Sequence, residues 1–371
     1  MDQYLENVIY DHVVFSGTAY EIGKAEGEYL KKYHPEQVKM FTEGSEWVKP
    51  TSKSKVQKAM EVFESYCPYI NEEIDGLAES LEVSRKSIIH YAFSYVSRGN
   101  CGHFAVLPKR TMDNHLYVGR SYEWSMDDDL RLVTVKAEGL NAHIGFSILL
   151  LGRFDGMNEH GLCVTMSNAV PCEQSKEEGL RFWMVIRILL DKCKTTEEAV
   201  QVIKEIPISS YCNLIIADKH NNVVLAEIYS EVRCFKTINE ETEETYLCST
   251  NHYTLPAMER FVRNKMRQSV MRYNAIIGKL DNENKVNKDD LKQLLSKHMP
   301  EGLACHYYRD GLGTLWSMLF DVTGGKLEVC FGSPVVNKWH SFDLNSEIGV
   351  TKYNTLLPQE EADINIWNRV E

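Results

Sequence analysis

A single cysteine followed by charged residues one hairpin later is the part of this sequence best suited to chemistry. Cys101 lies in the segment Asn100–Ala105, at the head of a predicted strand–turn–strand pattern whose second strand carries Arg120 and Glu123. A thiol attacks a carbonyl carbon as the thiolate, or with a base that takes its proton, and the oxyanion that forms needs hydrogen-bond donors. These residue types and their spacing indicate an enzyme that attacks amide bonds through Cys101.

Two groups near Cys101 are candidates for the base. His103 is two residues away, but side chains at positions i and i+2 of a strand lie side by side and are not aimed at each other. The other candidate is the α-amino group of Cys101, which becomes free if the Asn100–Cys101 peptide bond is cut and has an ordinary pKa of about 7.7–8.0. Cys101 also lies where a helical pattern changes to a strand pattern, a suitable place for a new N-terminus. We therefore favour the α-amino group.

The sequence predicts different secondary structure on the two sides of Cys101. Before it, a short strand over 13–17 leads into a helix that Thr18 and Glu21 cap and that extends to Lys32. Further helices are predicted near 54–66, 69–81 and 85–98. After Cys101, strands predominate and helices return in blocks, including a long one near 257–279, and strands over 314–322 and 326–332 close the chain. Blocks of strands alternating with blocks of helices favour an α+β fold of antiparallel sheets covered by helices over a doubly wound parallel sheet.

Three glycines near the N-terminus invite comparison with a phosphate-binding loop. Gly17, Gly23 and Gly27 lack the spacing of that loop and its Lys-Ser/Thr pair. Gly23 and Gly27 are four residues apart, which places them on one face of the predicted helix. We interpret them as a site of close packing against another helix.

Composition limits the class of partner. The 371 residues include 41 Lys and Arg against 53 Asp and Glu, and this formal net charge of -12 disfavours nucleic acid or an anionic membrane surface as the main partner. The apolar runs are too short to span a membrane, and the N-terminus lacks the basic start and apolar core of a signal peptide. We therefore expect a cytoplasmic protein that acts on a small molecule.

The remaining cysteines predict neither disulfides nor a metal centre. The chain has ten cysteines and no C-x-x-C pair, which is typical of reduced and mostly buried thiols. His252, Cys305 and His306 lack the clustered spacing of metal ligands, so a core or hydrogen-bonding role is favoured for them. The sequence thus predicts no metal and no cofactor.

Six stretches together resemble a known group of enzymes. They are Val14–Gly23, Cys101–Trp124, Gly156–Asn168, Leu214–Glu227, Thr250–Tyr253, and Gly313–Ser317 with Asp321. In order and spacing they resemble the isopenicillin N acyltransferase family and the related choloylglycine hydrolases, which act on linear amides. The resemblance covers nearly the whole chain.

The resemblance implies a fold and an activity. It implies a four-layer αββα N-terminal nucleophile hydrolase of antiparallel sheets, preceded by a helical N-terminal segment. Residues 1–100 would form that segment and stay associated with a catalytic domain over 101–371, once autocatalytic cleavage exposes the nucleophile. The implied substrate is a penicillin-, bile-salt- or N-acyl-amino-acid-like amide, which is hydrolysed or gives up its acyl group. The family precedent also includes homo-oligomers.

The same resemblance assigns roles to particular residues. Cys101 matches the nucleophile, and Arg120 matches an arginine that the hydrolase branch keeps beside the thiol. Asn251 and the backbone near Asn168 match groups on the oxyanion side and groups that orient the amine. Glu123 stands where both branches usually have Asp.

A further departure is at the processing site, where Asn100 replaces the usual Gly of the acyltransferase branch. Glycine adopts the strained backbone of such a site more easily than asparagine.

Other interpretations remain open at this point. Arg120 and Glu123 also fit a surface ion pair on a hairpin, and Asn168 and Asn251 fit turn residues that hold local backbone. The chain also fits a papain-like cysteine peptidase that uses Cys101 with a distant histidine. A third possibility is an unprocessed, catalytically silent binding protein of the same fold.

Overall fold

The computed structural model describes residues 4–42, 53–94, 99–126, 130–148, 151–169, 179–262 and 265–370. The helices in these ranges are α1 (Ala19–Tyr33), α2 (Pro35–Thr42), α3 (Lys53–Tyr66), α4 (Pro68–Leu81), α5 (Arg85–Ser94), α6 (Phe182–Lys192), α7 (Thr196–Glu205), α8 (Arg267–Asn282) and α9 (Lys288–Ser296). The first strands are β1 (Tyr4–Gly17), β2 (Asn100–Val106), β3 (Tyr117–Trp124), β4 (Arg131–Ala137), β5 (His143–Ile148), β6 (Gly152–Arg153), β7 (Gly156–Asn158), β8 (Cys163–Asn168), β9 (Tyr211–Ala217) and β10 (Val223–Tyr229). The later strands are β11 (Val232–Ile238), β12 (Tyr246–Ser249), β13 (Lys265–Met266), β14 (His306–Tyr307), β15 (Leu312–Asp321), β16 (Lys326–Phe331), β17 (Trp339–Phe342), β18 (Gly349–Gln359) and β19 (Arg369–Val370).

Two large sheets face each other. The larger has the strand order β11-β10-β9-β8-β7-β5-β4-β1-β18 with β6 beside β5, and the smaller has the order β12-β2-β3-β15-β16-β17 with β14 beside β15. Between the sheets, β2 contacts β8 and β9, and β15 contacts β18. The Trp316 ring of β15 stacks on Phe146 of β5 at a centroid distance of 4.0 Å.

Helices cover the outer faces of both sheets. Helix α1 contacts β1, and α6 contacts β5 to β8, on the larger sheet. On the smaller sheet α8 contacts β2 and β12, and α9 contacts β3 and β15. Leu294 and Leu303 pack there with Phe104 and Leu319 in a separate apolar cluster. The predicted α+β fold with four αββα layers is confirmed.

Close packing of α1 on α4 explains the helical glycines. The capping box of Thr18 and Glu21 at the start of α1 is present as predicted. A methyl group on Gly23 would lie 1.9 Å from the Glu73 carbonyl oxygen, and one on Gly27 would lie 2.5 Å from Ser80 Cβ. These two glycines therefore allow the helices to approach at backbone distance, as expected.

The N-terminal segment is not helical throughout. The predicted strand over 13–17 is the buried end of β1, which begins at Tyr4 and whose first half is largely exposed. This strand pairs in parallel with β4 and antiparallel with β18, so one pairing in the larger sheet departs from the antiparallel expectation. Residues before Cys101 thus supply an internal strand of that sheet.

Other elements also differ from the sequence-based expectation. Helix α8 begins at Arg267, later than the predicted 257, and strands β11, β17 and β18 were not predicted. Residues 349–354 of strand β18 are exposed or half-buried, so this part lacks the apolar alternation that identifies a half-buried strand. The predicted helix over 85–98 is observed to Ser94, and residues 95–98 lie outside the described ranges. No helix in those ranges is long and apolar enough to cross a membrane.

Candidate active site

Cys101 is the second residue of β2, and β3 runs antiparallel beside it. In this pairing Asn100 is opposite Glu123, Cys101 is opposite Tyr122 and His103 is opposite Arg120. The strand–turn–strand pattern therefore brings both charged residues of the second strand close to the thiol. Cys101 is fully buried.

The Cys101 thiol lies beside a guanidinium group. Arg120 Nη2 is 3.6 Å from Cys101 Sγ. Burial raises the pKa of this thiol from 9.0 to about 11, although the positive charge of Arg120 acts in the opposite direction. The thiol of the uncleaved chain is therefore protonated near neutral pH, and nucleophilic attack requires a base.

Arg120 is held in place from the larger sheet. Its Nε is 2.6 Å from Asp155 Oδ2, and its Nη1 donates to the Met166 carbonyl oxygen. Asp155 also accepts hydrogen bonds from the Phe146 backbone N–H at 3.0 Å and from Trp316 Nε1 at 3.2 Å. Arg120 and Asp155 are both fully buried, which overturns the interpretation of Arg120 as part of a surface ion pair.

The side-chain amide of Asn251 contacts the backbone on both sides of Asn100. Asn251 Oδ1 accepts a hydrogen bond from the Cys101 N–H at 2.9 Å. Asn251 Nδ2 donates to the Asn168 carbonyl oxygen at 2.8 Å and lies 3.5 Å from the Gly99 carbonyl oxygen. Asn168 Nδ2 also lies 3.5 Å from that oxygen, so two side-chain amides converge on one carbonyl group.

Glu123 is linked to the Asn251 amide through Arg272. Arg272 Nη1 donates to Glu123 Oε2 at 2.8 Å, and its Nη2 donates to Asn251 Oδ1 at 2.8 Å. Ser121 donates to the other Glu123 oxygen. Burial raises the pKa of Glu123 from 4.5 to about 7, against the lowering effect of Arg272. Glu123 therefore holds Arg272 against Asn251, and it is not part of a surface pair.

The side chain before the thiol is also held on both sides. Gln268 Nε2 donates to Asn100 Oδ1 at 2.8 Å, and Asn100 Nδ2 donates to the Gly311 carbonyl oxygen at 3.0 Å. Asn100 begins β2 in extended backbone. The asparagine at this position thus has defined partners that a glycine would lack.

His103 is poorly suited to act as the base. Its Nδ1 is 2.9 Å from Thr165 Oγ1. Among the described residues its Nε2 has no hydrogen-bond partner. Burial, with the charge of Arg120, holds the pKa of His103 well below its ordinary value.

Sequence reasoning missed Arg272, Gln268 and Asp155. Arg272 and Gln268 lie four residues apart on the buried face of α8, where polar residues at helical spacing look like a solvent face in the sequence. Asp155 lies between the short strands β6 and β7, where an acidic residue is ordinary turn chemistry. Only their burial in the structure distinguishes them.

Comparison with known proteins gives one family and a set of distant structures. The model of the family described as acyl-coenzyme A:6-aminopenicillanic acid acyl-transferase matches residues 110–335. A comparison with curated protein sequences gives no match.

The similar solved structures share little sequence with this chain. Penicillin V acylase from Agrobacterium tumefaciens has 15% identity and a TM-score of 0.44, over 68% of this chain and 90% of that chain. A mutant of conjugated bile acid hydrolase from Clostridium perfringens has 12% identity and a TM-score of 0.44, over 71% and 99%. The Caenorhabditis elegans ortholog of N-acylethanolamine-hydrolyzing acid amidase has 15% identity and a TM-score of 0.43, over 60% and 93%.

Proposed function

Because the chain belongs to the acyl-coenzyme A:6-aminopenicillanic acid acyl-transferase family, we propose that it is an autoprocessing cysteine enzyme acting on a linear amide. It hydrolyses that amide or transfers its acyl group to a second amine. Cys101 is the nucleophile, and the α-amino group freed by cleavage of the Asn100–Cys101 bond is its base. No metal or cofactor takes part in this proposal.

The processing step forms and then hydrolyses a thioester. The Cys101 sulfur attacks the Asn100 carbonyl carbon, the peptide bond breaks, and the thiol proton passes to the Cys101 nitrogen, which leaves as an amine. Water then adds to the thioester, which gives a carboxylate on Asn100 and restores the thiol. The two fragments together have the mass of the chain plus one water.

The turnover step uses the same groups on a substrate. The freed amine takes the thiol proton as Cys101 attacks the amide carbonyl carbon, and it then delivers that proton to the departing amine. The acyl group remains on sulfur until water or a second amine accepts it. With an ordinary pKa of about 7.7–8.0, the amine is partly unprotonated near neutral pH.

The orientation of the Asn251 amide is the observation that carries this proposal. Its oxygen accepts from the Cys101 nitrogen that becomes the base, at 2.9 Å, and its nitrogen lies 3.5 Å from the carbonyl oxygen of Gly99, as does that of Asn168. An amide with two N–H donors and an accepting oxygen can orient the amine and donate to the oxyanion at the same time. Because the Asn251 oxygen accepts an N–H of the amine, the lone pair on the amine nitrogen stays available for the thiol proton.

The substrate class remains the one that the resemblance implies. We propose N-acyl amides of penicillin, bile-salt or N-acyl-amino-acid type. A panel of such amides with a fluorogenic leaving amine, assayed with and without an added acceptor amine, separates hydrolysis from acyl transfer. We also propose a reducing, cytoplasmic location, because the nine cysteines in the described ranges are all free.

Intact mass under denaturing conditions tests the nucleophile and the cleavage together. Wild-type protein should give two fragments that sum to the chain plus one water, whereas Cys101→Ala should give one uncleaved mass and no turnover. Cys163→Ala is the matched control, because Cys163 is another fully buried thiol and its loss should cost mainly stability through a small cavity.

Two outcomes would contradict the proposal. A single uncleaved mass in protein that turns over substrate would remove the α-amine as base and favour a peptidase that uses a histidine. A single uncleaved mass in protein that binds but does not turn over any amide would favour the silent binding protein.

A further inference from the structure

A second cluster of chemically active side chains lies apart from the residues around Cys101. It consists of His298, between α9 and β14, His306 in β14, and Glu360, directly after β18. The potential ligand atoms of these three residues all lie within 4.8 Å of one another. Two imidazoles and one carboxylate form a ligand set that zinc accepts in proteins.

The Glu360 carboxylate faces both imidazoles. His306 Nδ1 is 2.9 Å from Glu360 Oε1, and His298 Nδ1 is 4.0 Å from Glu360 Oε2. The two rings are 4.5 Å apart at their centroids and nearly perpendicular, at 78°. Ligand atoms bound at about 2.0–2.2 Å to one zinc ion must lie close together, so modest side-chain rotation brings this set into place.

The backbone and a buried hydroxyl group hold two of the three residues in place. The Glu360 N–H donates to the His306 carbonyl oxygen at 2.8 Å, which joins the end of β18 to β14. The fully buried Ser333 lies with its Oγ 2.7 Å from His306 Nε2. Metal-bound histidines commonly use the second ring nitrogen in this way, which fixes the orientation of the ring.

The short contact between His306 and Glu360 suits a cation when the His306 ring donates its hydrogen to Ser333. If Nε2 carries the ring hydrogen and donates to Ser333, then Nδ1 and the Glu360 oxygen are both acceptors 2.9 Å apart. A cation between them removes this repulsion. His298 has a 42% exposed side chain, so a water molecule has access to the remaining position of the ion.

We propose that His298, His306 and Glu360 bind one Zn²⁺ ion with an open fourth position. The ion links the segment after α9 to the end of β18. This site is separate from the chemistry at Cys101 and does not depend on the proposed function.

Zinc content and zinc affinity of the untagged full-length chain test this site. The wild-type chain and Cys101→Ala are compared, because Cys101→Ala removes any zinc binding by an N-terminal cysteine. After dialysis against a chelator, each protein is titrated with ZnCl2 by calorimetry, and its Tm is recorded with and without Zn²⁺. Both should bind one zinc per chain and show a higher Tm with zinc.

Three variants test the site: one removes a ligand, one removes an outer partner and one is a control. His298→Ala alters a partly exposed side chain, so it should fold normally and lose the zinc-dependent rise in Tm. Ser333→Ala should weaken zinc binding by about 10–100-fold, the usual effect of losing an outer partner. His115→Ala is the matched control: His115 faces the Asp321 carboxylate at 2.9 Å without a second histidine in that pair, and its loss should leave zinc binding unchanged.

Two results would overturn the proposal. One is a wild-type chain that binds no more zinc than His298→Ala. The other is an equal loss of zinc in His115→Ala. In either case the cluster is only hydrogen-bonded, with the Ser333 hydroxyl donating to His306 Nε2 and the His306 Nδ1–H donating to Glu360.

Discussion

The Asn251 side chain contacts both the Cys101 nitrogen and the nearby backbone carbonyl groups. Its oxygen contacts the Cys101 nitrogen and Arg272, and its nitrogen donates to the Asn168 carbonyl oxygen. An alanine at this position removes both contacts. An aspartate keeps the accepting oxygen but removes the donor.

We expect Asn251→Ala and Asn251→Asp to lower kcat by about 10²–10³, because one oxyanion donor is lost in each. KM should stay within a small factor, since the donor acts chiefly in the transition state. Turnover is counted per cleaved chain, with cleavage measured by intact mass. A near-normal kcat in Asn251→Asp would assign the residue to amine orientation alone.

Asn158→Ala is the control for Asn251. Asn158 is also buried, and its Nδ2 donates to the Leu190 and Cys193 carbonyl oxygens at 2.9 and 2.7 Å. Its removal should lower the Tm and leave kcat per folded molecule unchanged. If Asn251→Ala behaves in the same way, Asn251 is a structural turn residue.

Glu123 should make the stability of the protein depend on pH. Burial raises the pKa of Glu123 from 4.5 to about 7, so between these values the folded protein holds a proton that the unfolded chain has released. The contribution of Glu123 to the free energy of unfolding therefore falls as the pH rises through this interval and is constant above it.

Urea unfolding of wild-type protein and Glu123→Gln at a series of pH values measures this effect. Relative to Glu123→Gln, the wild type should lose roughly 3 kcal/mol between about pH 4.5 and 7. The glutamine keeps an oxygen that accepts from Arg272, so packing is matched. Parallel pH dependences of the two proteins would show that the ion pair with Arg272 keeps Glu123 at its ordinary pKa.

At the scale of elements, the predicted site residues lie on strands of the two sheets or shortly after them. Cys101 is the second residue of β2, Asn168 ends β8, and Asn251 follows β12, while Arg272 reaches the same point from α8. Strand ends and helix faces of a packed fold hold side chains more accurately than mobile loops, and small displacements of catalytic groups cost much of the rate.

The contact between α1 and α4 gives a test of element packing. Gly23→Ala would place a methyl group 1.9 Å from the Glu73 carbonyl oxygen, so the helices must separate, and we expect a loss of about 1–3 kcal/mol or more. Gly278→Ala in α8 meets no atom within 4 Å and should instead stabilise the protein by roughly 0.5–1 kcal/mol. Urea unfolding measures both, and an equal effect of the two substitutions would contradict the close packing of α1 on α4.

At the scale of the whole molecule, β1 determines what happens after cleavage. This strand precedes the proposed cleavage site, yet it pairs with β4 and β18, both of which follow that site. Its buried end carries Val13 and Phe15 into the core. Separation of the fragments would open the larger sheet and expose this apolar surface to water.

We therefore expect the two fragments of the cleaved protein to remain one particle. Size-exclusion chromatography in native buffer should give a single peak at the elution volume of the uncleaved Cys101→Ala chain. Denaturing electrophoresis of that peak should show both fragments in equal molar amounts. Fragments that separate in native buffer would show that β1 does not hold the molecule together.

The sequence by itself determined several of the local elements and singled out Cys101 as the candidate nucleophile. Short-range patterns gave the capped helix α1, the glycine face at Gly23 and Gly27, and the hairpin that brings Arg120 and Glu123 near Cys101. The helix features depend on residues that are neighbours in the chain or one turn apart, and the hairpin joins two strands that are consecutive in the chain. Hydrophobic periodicity indicates such elements directly. The motifs also predicted the family and the four-layer fold.

The tertiary structure alone decided the partners of the buried polar groups. Arg272 meets Glu123 across 149 positions of sequence, and His306 meets Glu360 across 54. A buried charge must find a partner, but nothing in its sequence neighbourhood specifies which distant group that is. Exposed strands such as β18 were missed for a related reason: their pairing is made by backbone hydrogen bonds, which leave no apolar pattern in the sequence.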